Sequence, residues 1–396
     1  MGAQYRITLK RSLHSVTNLV IAAAFFLLLM STSFSHYGQQ DSTQADLYGA
    51  YATAGQAVDK TITGIEKIKP ASASVKAELR QKKQEKDYLD QITLVTSGGL
   101  SANLDEVNRT VLAHAKYSLR ATEKDPHVQL QLIKYQDQPT SHKLIERKKD
   151  VVFHTYLYQH HMREIPIAAI KAPAANYLSD ALLYHVSPFL IIAVFIVWLA
   201  EFFTTDKREG NIDVTNTLPM GKMKVLIAKI GVAFTIALPL FCLTLLAVFV
   251  VIGLSNGWGS LQYPIAYSLD GQHAAIMQLG EFLLMFLGAL VAIFCFFVML
   301  SALFSLIASK MSSLLVAELL VLLTGSSFML GFTKLSPSFR FLPTAYFDYS
   351  AVILNSHTWP SLDLAGGINV LLSSTLALLG CTTFVIYYRQ RLLRRN

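Results

Sequence analysis

Glu201–Lys229 reads EFFTTDKREGNIDVTNTLPMGKMKVLIAK, a charged stretch held between two long apolar runs. Lys207, Arg208, Lys222, Lys224 and Lys229 stand in it. Basic residues of membrane proteins collect on the cytoplasmic side, where anionic lipid and the insertion machinery retain them. The stretch therefore predicts a cytosolic loop between two spans. Asp206, Glu209 and Asp213, with Gly210 and the Leu218-Pro219 break, suit a folded connection that touches a cytosolic partner.

Composition points the same way. Hydrophobic residues make up 53% and charged residues 15% of the chain, against about 25% charged in an ordinary soluble domain. An integral membrane protein follows. The net charge of +8 is also what a nucleic-acid binder carries. Outside the large polar segment, however, the cations gather beside apolar runs in the positive-inside pattern, so no nucleic-acid partner is expected. Cys242, Cys295 and Cys381 all lie in apolar runs without CxxC spacing or a nearby histidine. Neither a disulfide framework nor a metal site is expected from them, and no cofactor is.

Upstream, residues 1–15 place Tyr5, Leu9 and Leu13 four apart with Arg6, Lys10 and Arg11 between them, a short amphipathic helix on the inner membrane surface. It leads into a first span over 16–35, just long enough for a hydrocarbon core of about 30 Å. A secretory signal peptide is the alternative reading, with Ser33-Phe34-Ser35 as a weak cleavage site. The apolar run exceeds the roughly 7–15 residues of a usual signal core.

Residues 36–180 contain no span and are expected outside, carried across by the first one. Ser74–Ile92 reads as a charged helix with Val75, Leu79, Leu89 and Ile92 as a thin apolar stripe. Asn103 and Glu106 resemble a capping box for a helix over about 104–120. Ile92 and Leu94, then Val128, Leu130 and Leu132, alternate with polar residues and predict short strands. The expectation is a mixed α/β extracellular domain. His154, His160 and His161, with His142 nearby, fit no single helical face and lack a completing Cys or carboxylate set, so they make a poor metal site. Asn108-Arg109-Thr110 is a glycosylation sequon.

Five more spans are predicted over about 183–203, 230–254, 279–307, 313–332 and 364–388. Pro188 falls in the first turns of the second, and Pro239 is placed to kink the third. Ser255–Gln278 contains no Lys or Arg and is assigned outside; Thr333–Asp363, rich in proline and aromatic residues, predicts short helices dipping into the outer leaflet. The inner side collects Arg6, Lys10, Arg11, the five cations of the central loop, Lys310 and, over the tail 389–396, Arg389, Arg391, Arg394 and Arg395. The two short outer loops hold only Lys334 and Arg340. The fold class expected is an all-α polytopic membrane domain of six transmembrane helices, both termini cytoplasmic, with the inserted α/β domain between the first two spans.

Arg208-Glu209-Gly210, then Leu218-Pro219, then Lys222 and a Lys229 that opens the third span, carry a family resemblance. The pattern resembles the E-(K/R)-E-x-G … L-P-x-(S/G)-(R/K) … G-K stretch of ABC-2 type permeases, the membrane subunits of ABC exporters. The order of parts is similar along almost the whole chain, and the large outer segment resembles the branch that includes sodium, antibiotic and peptide exporters. Asn211 stands where the family has Thr after the glycine, and Ala228 where it has Gly before the lysine. The resemblance implies two permease subunits, as homodimer or heterodimer, paired with two ATPase subunits. It further implies that 204–229 is the coupling loop, with Asp206, Arg208, Glu209, Gly210, Leu218, Pro219 and Lys222 addressing the ATPase. The cargo is left open. No G-x-x-x-x-G-K-[ST] loop is present, since Gly221-Lys222 is followed by Met223, so ATP hydrolysis is expected from the partner and the chain itself is not expected to be an enzyme.

Glu318 lies inside an apolar span, where a carboxylate costs about 2.5–3.5 kcal/mol on insertion scales. It is expected either to line the translocation path or couple a proton, or to face the dimer interface and bond to a Ser or Thr of a neighbouring helix. Glu281 lies near the outer mouth. No span offers a His with Asp or a Ser–Lys pair, so an intramembrane enzyme is not expected. A sensor or immunity protein, binding a ligand through the outer domain without moving it, is the alternative function.

Overall fold

Ser15 divides the start of the chain into α1 (Gly2–Leu13) and α2 (Val16–Leu29), its hydroxyl accepting from the Thr17 N–H at 3.3 Å. The two helices meet at a bend of 59°. Alone, α2 rises only about 21 Å at about 1.5 Å per residue, and α3 (Ser31–His36) continues it after Met30. The computed structural model describes residues 2–36, 47–68, 72–98, 102–124, 130, 143–165, 172–210, 222–308, 310–326, 337–355 and 362–393.

Four helices come next: α4 (Leu47–Glu66), α5 (Ala73–Thr96), α6 (Leu104–Lys124) and α7 (Lys143–Gln159). They correct the mixed α/β expectation for 36–180, because the described part of that segment is helical. Ile92 and Leu94 lie in α5, not in a strand. The decisive pattern is the buried set Lys82, Glu85, Leu89, Ile92 and Thr96, whose alternating spacing of three and four is a helical face. Val128 and Leu132 lie outside the described residues. Asn103 does cap α6, its Oδ1 accepting from the Asp105 N–H at 3.2 Å. Tyr51, Val58, Leu89, Ile92, Val107 and Val111 form a small apolar cluster shared by α4, α5 and α6.

A much larger cluster occupies the apolar helices. Here α8 (Ala174–Asp180) and a π-helical turn over Ala181–His185 precede α9 (Pro188–Arg208). Pro188 is at the first helical position, where its missing N–H is harmless, and its ring prevents the preceding turn from continuing straight into the span. The helix of the expected second span therefore starts at 188 rather than 183. Next, α10 (Lys222–Asn256) runs 35 residues through Pro239 as one element.

Between α10 and α11 (Leu279–Ser305) lies a feature the sequence reading missed, an antiparallel hairpin of β1 (Pro264–Ser268) and β2 (Ala274–Gln278). Its turn is built on Asp270, whose carboxylate accepts from the Gln272 and His273 N–H groups, and on Gly271 at φ +80°. The hairpin carries α7: Lys148 donates to the Gln272 carbonyl at 2.9 Å and Tyr156 to that of Gln262 at 3.3 Å. The chain then forms α12 (Met311–Leu323), two 3₁₀ turns over Pro337–Phe341 and Pro343–Tyr346, α13 (Tyr349–Ile353) and α14 (Leu364–Leu393).

Among the described residues, four helices are long and apolar enough to cross a membrane: Pro188–Arg208, Met223–Asn256, Leu279–Ser305 and Leu364–Tyr388. The bent α1–α2 pair makes a fifth if it counts as one span. These helices are compatible with a multi-pass membrane protein, with four or five candidate spans where six were expected. The difference lies in the first span, which is bent and broken, and in the fifth. There α12 has 13 residues, about 20 Å of rise, and 327–332 of the expected span lie outside the described residues.

Candidate functional site

The end of the bundle where α1, α9 and α10 meet gathers most of the residues singled out in the charged stretch. Within 204–229, α9 continues through Arg208 and α10 already begins at Lys222. Gly210, at φ +70°, adopts the left-handed conformation that ends a helix without a Cβ penalty. Leu218 and Pro219 lie outside the described residues, as does the side chain of Lys222.

Asp206 is the centre of the cluster. One carboxylate oxygen accepts from Arg11 of α1 at 3.1 Å, and the other pairs with Lys229 of α10 at 2.5 Å. Arg11 also pairs with Glu209. Glu201 accepts from Thr17 of α2 at 2.9 Å and pairs with Arg208 at 3.2 Å. The anions promised by the motif are thus turned toward the chain's own cations, which ties three helices to each other. Deeper in, Trp198 donates its indole N–H to the Asn18 carbonyl oxygen at 2.9 Å, while the Asn18 amide donates to the Ser12 carbonyl at 2.7 Å. Phe202 stacks on Trp198 at 5.0 Å between ring centres. Together these residues line a recess of about 200 Å³.

Two further contacts lock this end. Tyr5 shares a hydrogen bond with Thr235 of α10 at 2.7 Å, its ring lying against Gly231, where a Cβ would sit only 3.4 Å from it. Lys207 reaches over to the end of α11 and donates to the carbonyls of Ser305 and Ala308, both at 2.5 Å. The Ser305 carbonyl is one of the last four of α11, which have no partner within the helix, and a cation there is also favoured by the helix dipole. Arg11, Asn18, Trp198 and Glu201 were not singled out from sequence. Asn18 and Glu201 did carry a signal, being polar residues set in or against apolar runs.

Glu318 is fully buried on α12 against Ser301 of α11. The bond to a serine of a neighbouring helix, one of the two expectations, is what the structure contains.

The histidines among the helices α4–α7 are dispersed. His161 pairs with Asp105 at 2.6 Å on the surface, His160 packs edge-on to Tyr156, and His154 is buried 4.0 Å from Glu164. Burial, and secondarily His114, lower the His154 pKa from 6.5 to about 3; burial and then Arg147 lower that of His114 to about 4. Both imidazoles are neutral at ordinary pH. His142 lies outside the described residues. Asn108, the sequon asparagine, is buried, and its amide donates to the carbonyls of Leu157 and Met162 at 3.3 and 2.9 Å. That amide nitrogen is committed to the fold and is not presented to a glycosylating enzyme.

No known protein family, curated protein or solved structure gives a significant match to this chain.

Proposed function

We propose that the chain is the permease subunit of an ATP-driven exporter of the ABC-2 type, pairing with a second permease subunit and coupled to a separate ATPase through 204–229. The observation that carries this reading is the joint anchoring of α1, α9 and α10 on Asp206. A partner pressing on the segment between Arg208 and Lys222 would act on two long apolar helices and on the N-terminal helix as one body. That is what a coupling element must do if ATP closure is to tilt spans. Helix α9 hands the displacement on through Lys207 to the α11–α12 turn. The cations at this end, Arg11, Lys207, Arg208 and Lys229, fit a cytosolic face. ATP hydrolysis belongs to the partner, and the cargo class stays open.

The test is copurification of an ATPase with the detergent-solubilised protein, wild type against Glu209→Ala and Gly210→Pro. Arg11→Ala serves as a control that breaks the Arg11–Glu209 pair from the α1 side, together with Arg11–Asp206. The expected result is an associated ATPase that Gly210→Pro releases or uncouples. Absence of any ATPase with the intact protein would overturn the reading and turn attention to the helices 47–165 as the ligand-binding part of a sensor or immunity protein.

A further inference from the structure

Glu318 and Ser301 face each other across the α11–α12 interface, and both side chains are fully buried. The Ser301 hydroxyl lies within hydrogen-bond reach of two acceptors, the Phe297 carbonyl at 2.8 Å and Glu318 Oε1. A hydroxyl has one proton to give. If it goes to the Phe297 carbonyl one turn back, the contact with Glu318 needs a hydrogen from the carboxyl group. The other oxygen decides between the alternatives. Among the described residues, Oε2 is buried without a hydrogen-bond partner. For a carboxylate this would be a charged oxygen with no donor; for a carboxylic acid it is only a neutral carbonyl short of a donor, a much smaller penalty.

No described cation compensates. On α12 itself the nearest charged neighbour in sequence is Lys310, eight residues and about 12 Å of helix away. On α11 the ionisable groups are Glu281 in the first turn and Cys295. On α9, which also packs on α12, the charges sit in the last two turns and are engaged: Glu201 with Arg208, Asp206 with Arg11 and Lys229, Lys207 with the Ser305 and Ala308 carbonyls.

We propose that Glu318 is a proton-binding site within the membrane domain. It is held as a carboxylic acid that donates to Ser301, which in turn donates to the Phe297 carbonyl. The ligand is the proton itself. Its release leaves a bare carboxylate between two apolar helices, so proton loss and separation of α12 from α11 accompany each other. The inference stands whether or not an ATPase partner exists.

The protein reconstituted in phosphatidylcholine vesicles is treated at neutral pH with a hydrophobic carbodiimide. A protonated carboxyl gives its hydrogen to a carbodiimide nitrogen while its oxygen bonds to the central carbon. The acyl group then migrates to nitrogen, leaving a stable adduct with the mass of one added carbodiimide. Modification of Glu318 is expected by peptide mass spectrometry, with the adduct lost in Glu318→Gln. In infrared spectra of the same vesicles, the carbonyl stretch of a protonated carboxylic acid is expected, shifting upward in Ser301→Ala as the hydrogen bond is lost. Glu318→Gln, which keeps a donor, should retain the wild-type Tm while Glu318→Ala lowers it. An unlabelled Glu318 with no such band in the wild type at neutral pH would overturn the proposal, whatever the variants do.

Discussion

Arg11 and Asp206 stand 195 residues apart in sequence and 3.1 Å apart in space, and through them the N-terminal helix holds the end of α9. Asp206 also serves Lys229, and both of those side chains are mostly buried, whereas Arg11 is about half exposed. The two partners of the pair are therefore unequal. Asp206→Asn leaves Lys229 without its anion in a poorly solvated place and should cost about 1–3 kcal/mol. Arg11→Ala removes a partly exposed pair and should cost about 1 kcal/mol or less. Thermal unfolding in detergent ranks them; equal Tm losses would show that Lys229 does not depend on Asp206.

Asn18 is the second joint of this end, with its carbonyl on the Trp198 indole and its amide on the Ser12 carbonyl. Asn18→Leu strands a buried indole donor and should cost about 1–3 kcal/mol. Adding Trp198→Phe removes the stranded donor, so the double variant should lose less than the sum of the single losses. Strict additivity in the double-mutant cycle would mean the two side chains are not coupled.

Gly367 of α14 lies against the ring of Tyr346, which is buried and held by its hydroxyl on the Arg340 carbonyl at 2.9 Å. A Cβ at 367 would fall within the van der Waals envelope of that ring. Gly367→Ala is expected to destabilise by about 1–3 kcal/mol through overpacking, despite the better helix propensity of alanine. Gly380 meets nothing within 4 Å, so Gly380→Ala should be neutral or slightly stabilising. The same Tm for both variants would refute the close approach of α14 to Tyr346.

His114 and His154 give the helices 47–165 an acid sensitivity whose sign comes from their lowered pKa values, about 4 and about 3 against 6.5 in the free side chain. Between pH 6.5 and those values the unfolded state binds the protons and the folded state does not. Stability is thus fully present above pH 6.5 and lost as pH falls, by up to about 1.4 kcal/mol per unit for each histidine. Hydrogen exchange of 104–124 and 143–159 in the whole protein should quicken from pH 7 to pH 5 after correction for intrinsic rates. His114→Phe should flatten the trend, because among the described residues the His114 Nε2 has no hydrogen-bond partner to lose. Protection that is the same at both pH values would remove the histidines from the account.

Much of the helical architecture was legible because its signals are local. Pro188 marks a helix start wherever it falls, Asn103 caps the helix that begins beside it, and long apolar runs without charge have few other uses. The failures are equally physical. Ile92 and Leu94 sit two apart, which suggested a strand, but the buried face of α5 includes Lys82 and Glu85, a charged pair at 2.9 Å that no apolar count registers. The Asp270-Gly271 turn carried a hairpin signal that the absence of cations around it had obscured. The Arg11–Asp206–Lys229 cluster had no local signature at all, since both charges of a long-range pair look like ordinary surface charges until the chain is folded.

The seat of α7 on the hairpin also sets an order of events. Lys148 waits for Gln272, 124 residues later, and Tyr156 for Gln262, 106 residues later. At about 5–20 residues per second of synthesis, helices 47–165 emerge roughly 5–25 s before the surface they rest on exists. During that interval they stand on their contacts with one another, with the flank that will meet the hairpin open to chaperones, proteases and other chains. Docking is therefore an act of the finished protein, and a ribosome stalled before residue 262 presents this face uncovered.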